Sequence, residues 1–384
     1  MVDALFVYHP DFQRYRFHQD HPFNPLRLAA TYDLMTTLDL LPADAIVEPS
    51  CATLEELALF HEPHYVQLVR DLSSRGEKAY GAERWGLGTD DNPIFQGMHE
   101  AASLAVGATL KAAQLVASGK TRRALNLSGG LHHAGPGHAS GFCIYNDVVI
   151  AIRWLQAHTD WRVLYVDLDA HHADGVQNAF YTDPTVFVLS FHESGQYLFP
   201  GSGAVEERGH GAGAGYTLNV PLAPATDDKS WLSLFEAIVP RVIQEFQPDV
   251  IVSQHGCDGH FADPLADLCA TTRFYVTTAH WLRCWADRYC QGRWIATGGG
   301  GYQVLSVVPR VWTLLWTIMA GFPLDEQAKI PELWLRRWQP HAPSPLPTAL
   351  SDPPELSMPV RDRHRIDAQN RQTLDTILHN IFDN

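Results

Sequence analysis

Residues 161–175 read WRVLYVDLDAHHADG, an apolar, β-branched run that passes straight into three carboxylates and two histidines. A short apolar run bounded by polar residues reads as a buried strand. Leaving charge at the end of such a strand is costly unless a partner compensates it. Asp167, Asp169, His171, His172 and Asp174 therefore call for a compensating group. Asp167, Asp169 and His171 are spaced by two and share a face on an extended segment. Asp169 and His171 can aim at one point, where a borderline-soft divalent ion accepts one carboxylate and one imidazole. A helix cap uses one aspartate, so capping does not account for the whole group. Asp258 is the best remote third ligand. An O, N, O set leaves room for water and substrate, which makes the site catalytic rather than structural in character. Zn²⁺ fits it, with Fe²⁺, Mn²⁺ or Co²⁺ as alternatives.

Further apolar, β-branched runs lie at 4–9, 123–129, 185–192, 249–256, 273–278 and 293–301, and all read as strands. Alanine- and leucine-rich helical patterns fall between many of them, at 98–118, 145–157, 230–246, 279–290 and 304–320. This alternation predicts an α/β fold whose mostly parallel sheet is covered on both faces. Residues 1–325 show no linker and read as one catalytic domain. Residues 326–384 read as a C-terminal proline-rich segment and a terminal helix, packed on or appended to that domain. Within it, 338–359 reads as an extended surface strap.

Five strand ends carry polar or glycine-rich loops, holding His132 and His133, then Asp167 to His171, His192, His255 with Asp258, and Gly298 to Tyr302. Ligands of open parallel sheets bind at the carboxyl ends of the strands, so these loops can meet in one crevice. In NLSGGLHHAGPGHASGFCIYND (126–147) the glycines permit a tight turn in which both tandem histidines line a pocket. Each needs a carboxylate to fix its tautomer, and Asp167 and Asp174 are available; His138 reads as structural. TGGGGYQV (297–304) lacks the Lys–Ser/Thr ending of a phosphate loop. It reads instead as a close-approach loop presenting Tyr302, whose phenol can donate to an oxygen that becomes negative.

The net charge of −15 argues against a nucleic-acid backbone as partner. No apolar stretch reaches the length of a membrane span, and the first strand carries no basic leader, so secretion is not expected. The six cysteines form no CxxC pair and read as reduced packing residues of a cytoplasmic chain. Cys143 reads as packed, and no serine elbow is present.

HHAGPGHASGFCIYND, LYVDLDAHHADGVQNAFY, VLSFHESGQYLFPGSG and ATGGGGY resemble the arginase-fold histone deacetylase superfamily, nearest to its bacterial acetoin-utilisation-type branch, over residues 9–320. The resemblance implies a single three-layer α/β domain with a central sheet of about eight strands flanked by helices. It implies Asp169, His171 and Asp258 as metal ligands, His132 and His133 as catalytic histidines paired with Asp167 and Asp174, and Tyr302 as the phenol that polarises the acyl carbonyl. Gly141, Phe142 and Phe199 resemble the tunnel walls, with Gly141 also accepting the amide N–H, and Gly300 belongs to the substrate contacts. Asp91, or less readily Asp90, resembles the rim aspartate that holds the substrate backbone. Arg27, in HPFNPLR, resembles the arginine of an internal acetate channel. Potassium is implied at Asp167, Asp169, His171, Ser190 and Phe191, and at Phe180, Asp183, Val186 and Tyr216. The implied activity is zinc-dependent hydrolysis of Nε-acetyl-lysine in proteins or peptides. The alternatives are an acetylpolyamine amidohydrolase, a non-catalytic acyl-lysine binding module and, more remotely, guanidine hydrolysis of the arginase kind. The chain departs from the eukaryotic pattern at Ala173 and in QHGCDGH (254–260), where Gly259 and His260 are expected near the mouth.

Overall fold

A computed structural model describes residues 3–77, 79–323, 325, 327–356 and 360–382. Its eight strands are β1 (Ala4–Val7), β2 (Ile46–Val47), β3 (Arg123–Asn126), β4 (Val163–Asp167), β5 (Val186–Glu193), β6 (Thr217–Leu222), β7 (Val250–Gln254) and β8 (Trp294–Thr297). They pair in the order β2-β1-β3-β8-β7-β4-β5-β6, and every pairing is parallel. β3, β4, β7 and β8 are buried along their whole length, which is why their sequences read as continuous apolar runs.

The run 273–278 is not a strand. It opens the helix Thr272–Tyr289, capped by the Thr271 side chain on the N–H of Arg273. Its Phe274 and Thr278 continue to Leu282 and Ala286, a buried stripe at the four-residue spacing of a helix. Two strands gave no clear signal. β2 has only two residues, and β6 carries Asn219 and Pro221, which a sheet tolerates here because β6 is an edge.

The sheet's register sets the geometry of the crevice. Asn126 lies opposite Thr297, Thr297 opposite Gln254, Gln254 opposite Asp167, and Asp167 opposite Ser190. The central strands therefore stop at one level, and the loops that follow them start side by side.

Two groups of helices cover the sheet. Met98–Ala117 packs against Asp147–His158 and β3. Val308–Ala320 packs against Leu26–Thr37 and Thr272–Tyr289, which in turn meets Asp228–Phe246. Described residues after 325 lie against this body. Trp334 is fully buried and donates its indole N–H to the Ala30 carbonyl at 2.9 Å. Asp352 accepts from Arg310 Nη1 at 3.0 Å and from the Thr272 N–H at 2.9 Å. The final helix, Arg363–Phe382, packs on β6 and on Asp228–Phe246. Its buried Asn370 accepts the Ala223 N–H at 2.9 Å and faces Thr226 and Ser230 with its amide. No helix among the described residues is long and apolar enough to cross a membrane.

Candidate metal centre and catalytic channel

Four adjacent strand ends build the site. After β4 the chain turns so that Asp169 and His171 face Asp258, delivered by the loop after β7. His171 Nδ1 lies 3.1 Å from Asp169 Oδ1 and 3.0 Å from Asp258 Oδ2. One ligand atom from each of the three lies within 4.8 Å of the others. A tetrahedral ion with ligands at about 2.0–2.1 Å separates them by about 3.3 Å, so the set fits a divalent ion of that size.

The remaining carboxylate positions are fixed by donors. Asp169 Oδ2 accepts from Gln254 Nε2 at 2.6 Å and from the Gly300 N–H at 2.7 Å. Asp258 Oδ1 accepts the Ala170 N–H at 2.9 Å. Such outer partners orient ligands and tune their basicity. Position 300 admits only glycine, because a Cβ there would lie 1.9 Å from Asp258 Oδ2.

Electrostatics shows how strongly the three groups act on one another. Burial works against a charged His171, yet Asp169 and Asp258 outweigh it and hold the imidazole up to about 10. Burial and the neighbouring Asp169 push Asp258 up to about 7. A proton thus takes the place that a divalent ion would claim, and metal binding at such a set releases protons.

The tandem histidines sit beside this centre. His132 Nδ1 donates to Asp167 Oδ2 at 2.8 Å, and His133 Nδ1 donates to Asp174 Oδ1 at 2.7 Å. Their Nε2 atoms are 3.0 Å apart. Both Nδ1–H groups are committed to carboxylates, so Nε2 is the nitrogen each ring has left for other partners. Burial opposes charge on His132, but Asp167, aided by Asp169, outweighs it and raises the ring to about 9. Burial, and then the charge on His132, push His133 down to about 4. The pair is therefore divided into a charged His132 and a neutral His133.

The turn that carries the pair is tied down by residues the sequence did not single out. Asp147 accepts the N–H groups of Gly130 and Leu131, with the Leu131 contact at 2.8 Å. Asn146 donates to the His132 and Ala134 carbonyls at 3.1 Å each. Tyr165 donates its hydroxyl to Asp167. Asp147 and Asn146 open the helix Asp147–His158 and look like ordinary cap residues; only the folded chain shows them reaching back to the turn. Gln254 gave no signal inside an apolar strand.

A cavity of about 220 Å³ leads to this floor, and Asp91, Gly141, Phe142, Phe199 and Tyr302 are among its walls, with Leu198 and Leu265. Phe142 and Tyr302 meet edge to face at 5.8 Å between centroids, and Phe199 stands 5.1 Å from His133. Gly141 has φ +49° and no space for a Cβ, which would lie 2.4 Å from the His133 ring. Burial, and then Asp258 and Asp169, raise the Tyr302 phenol well above its ordinary value, so it stays an O–H donor. Asp91 is exposed at the rim; Asp90 does not line the cavity. Buried Arg27 donates through Nη1 to the Gly299 carbonyl at 2.8 Å and the Gly301 carbonyl at 3.2 Å.

Other expected residues lie elsewhere. His260 is not at the mouth: it is buried and its Nε2 lies 2.9 Å from Asp352 Oδ2, while Gly259 packs against Trp231. His255 is buried against Ser253, and His192 donates Nε2–H to the Gly203 carbonyl at 3.0 Å. His138 is exposed, outside the channel. Cys143 is buried, and all six cysteines are unpaired. Ser190 registers opposite Asp167, with Phe191 next in β5. Phe180, Asp183 and Val186 follow one turn into β5, and the Tyr216 carbonyl accepts the Val188 N–H at 2.9 Å. The Asp183 carboxylate there already accepts from Gln156 at 2.8 Å and Arg153 at 3.2 Å.

A family profile described as "Histone deacetylase domain" matches residues 21–319. The chain is 47% identical over 381 residues to the acetoin utilization protein AcuC of Bacillus subtilis (strain 168), covering 99% of this chain and 98% of that one. It is 40% identical over 373 residues to the protein of the same name from Staphylococcus xylosus, covering 97% of each. In three dimensions it matches the crystal structure of an HDAC homolog complexed with SAHA, with a TM-score of 0.88 and 30% identity, over 98% of this chain and 99% of that one. A crystal structure of an HDAC homolog from Aquifex aeolicus gives a TM-score of 0.86 at 29% identity, over 98% of this chain and 99% of that one.

Proposed function

Because this chain belongs to the histone deacetylase domain family, we propose that it hydrolyses the amide of Nε-acetyl-lysine in proteins or peptides, releasing acetate. The observation that carries the reading is the floor of the channel: a narrow apolar passage ends on His133, His171 and Tyr302 together. An acyl group on a slender linear stem suits such a passage.

Asp169, His171 and Asp258 would hold the ion, for which zinc is the first choice and Fe²⁺ the main alternative. When bound, it polarises the acyl oxygen and lowers the pKa of a water. The chain's own groups do the rest. Phe142 and Phe199 exclude bulk water from the stem, and the Gly141 carbonyl accepts the amide N–H. Neutral His133 takes the proton of the attacking water, and Asp174 stabilises the imidazolium that results. Charged His132, held by Asp167, opposes the negative charge growing on the acyl oxygen. Tyr302 donates its O–H to that oxygen, an interaction strongest in the transition state. His133 then returns its proton to the leaving amine.

Potassium at Asp167, Asp169, His171, Ser190 and Phe191 would stiffen the strand end that carries the ligands. The reduced cysteines suit a cytoplasmic location, and an acetylated metabolic enzyme is the first choice of protein substrate. The test is turnover of acetyl-lysine peptides against N-acetylputrescine and N-acetylspermidine by metal-quantified protein. Higher kcat/KM on the peptides is expected. Strong preference for the small amines would move the assignment to an acetylpolyamine amidohydrolase.

A further inference from the structure

Tyr302 sits on a loop with no regular structure between β8 and the helix Val308–Ala320. Four consecutive glycines, Gly298 to Gly301, precede it, so its own backbone does little to place it. Its ring meets Phe142 at 5.8 Å and His171 at 6.4 Å between centroids. An O–H donor to a developing oxyanion is effective only when it stands about 2.7–3.1 Å from that oxygen. With a glycine run before it, the backbone at 302 needs an anchor of its own to hold the phenol at such a distance.

The geometry points to Asp263 as the positioning residue for Tyr302. Asp263 is 6% exposed. Its Oδ2 accepts the Tyr302 N–H at 2.7 Å, and its Oδ1 accepts the Leu265 N–H at 3.1 Å. Hydrogen bonds to an ionised acceptor are roughly twice as strong as neutral ones. One carboxylate thus joins the phenol's backbone to that of Leu265, another residue of the channel wall. Arg27 secures the same glycine loop from the other side, through the Gly299 and Gly301 carbonyls. Asp263 touches neither substrate nor ion. Its effect on the reaction passes through Tyr302, and it carries that role in the segment after Asp258, where the metal ligand and the phenol's anchor are five residues apart.

This inference rests on the reading of Tyr302 as the donor to the acyl oxygen. The test is a double-mutant cycle of Asp263→Ala and Tyr302→Phe, with metal stoichiometry measured on each protein and kcat and KM measured on an acetyl-lysine peptide. Misplacing a catalytic group by about 1 Å costs about a hundredfold, and Asp263→Ala should lower kcat on that scale while KM and bound metal hold. In the Tyr302→Phe background the same substitution should change kcat by less than about threefold, because coupled residues are non-additive. An equal loss in both backgrounds would overturn the inference and make Asp263 a general support of the fold. If Asp263→Ala does not fold, Asp263→Asn keeps the volume and one acceptor oxygen; a smaller kcat loss, again confined to proteins with the phenol, is expected, and a loss independent of the phenol overturns it. If Tyr302→Phe alone leaves kcat unchanged, the proposed mechanism falls together with the inference; if Tyr302→Phe is damaging and the losses add, the inference alone falls.

Discussion

Asp258 and His260 stand two residues apart and belong to two buried histidine–carboxylate clusters of opposite character. Around Asp258, the carboxylates Asp167, Asp169, Asp174 and Asp258 face three imidazoles, and no arginine or lysine pairs with any of them among the described residues. Around His260, the single carboxylate of Asp352 faces the imidazole at 2.9 Å and the Arg310 guanidinium at 3.0 Å. The second cluster closes its own charge balance and fastens the C-terminal strap. The first has more carboxylates than imidazoles and no basic side chain paired with them among the described residues. Charge balance, rather than residue type, separates the closed cluster from the open one.

Removing a ligand is the harshest way to break this contrast. His171→Ala should abolish metal binding and lower turnover by at least about a thousandfold, the scale of losing an essential catalytic group. Chelation should do the same and readdition of the ion should restore activity; full turnover by metal-free protein would refute the account of the open cluster. Tyr302→Phe comes next, with kcat lowered by about 10²–10³ while metal content is unchanged. Equal loss of both would make the tyrosine part of the metal site.

The closed cluster should respond in stability instead. Asp352→Ala leaves Arg310 buried without its acid, and breaking a buried pair costs roughly 3 kcal/mol. A lower denaturant midpoint is expected, with kcat of the metal-loaded protein unaffected. The smallest effect is that of acid on the wild-type strap. Burial holds His260 below its ordinary value despite Asp352. A depressed histidine is neutral when folded, so its contribution is complete above the unfolded pKa of about 6.5 and fades as pH falls below it. Asp352 adds a second loss lower down. Burial alone would raise its carboxyl, but His260 and Arg310 outweigh it and hold it well below the usual range. That contribution is present above about 3.9 and is lost as pH falls through the folded value. Proteolytic cutting within 342–351 should therefore accelerate from pH 6.5 to pH 4 and stay flat above pH 7. A flat profile throughout would mean that His260 does not help to hold the strap.

The same contrast explains what sequence reading reached. Asp169, His171 and the tandem histidines declare themselves because polar residues crowd strand ends where burial makes them expensive. His260 misleads because the residue that neutralises it lies 92 positions further on. Gln254 is invisible because its function, a donor to Asp169, depends on strands that are neighbours only in the sheet. The run at 273–278 looks like a strand by composition, since aromatic and β-branched residues favour sheets locally. Its helical stripe emerges only when the window is extended to Ala286.

The order of strands has a consequence for how the protein comes into being. β8 is made last of the eight, yet it lies between β3 and β7 in the middle of the sheet. A nascent chain emerging from the ribosome has its ligands and tandem histidines in hand long before the strand that brings their halves together. Until residues 294–302 are free to insert, the N-terminal part waits with an open seam. Translation of the final catalytic loop is thus also the event that seals the sheet, so a chain truncated before it would forfeit the fold along with the phenol.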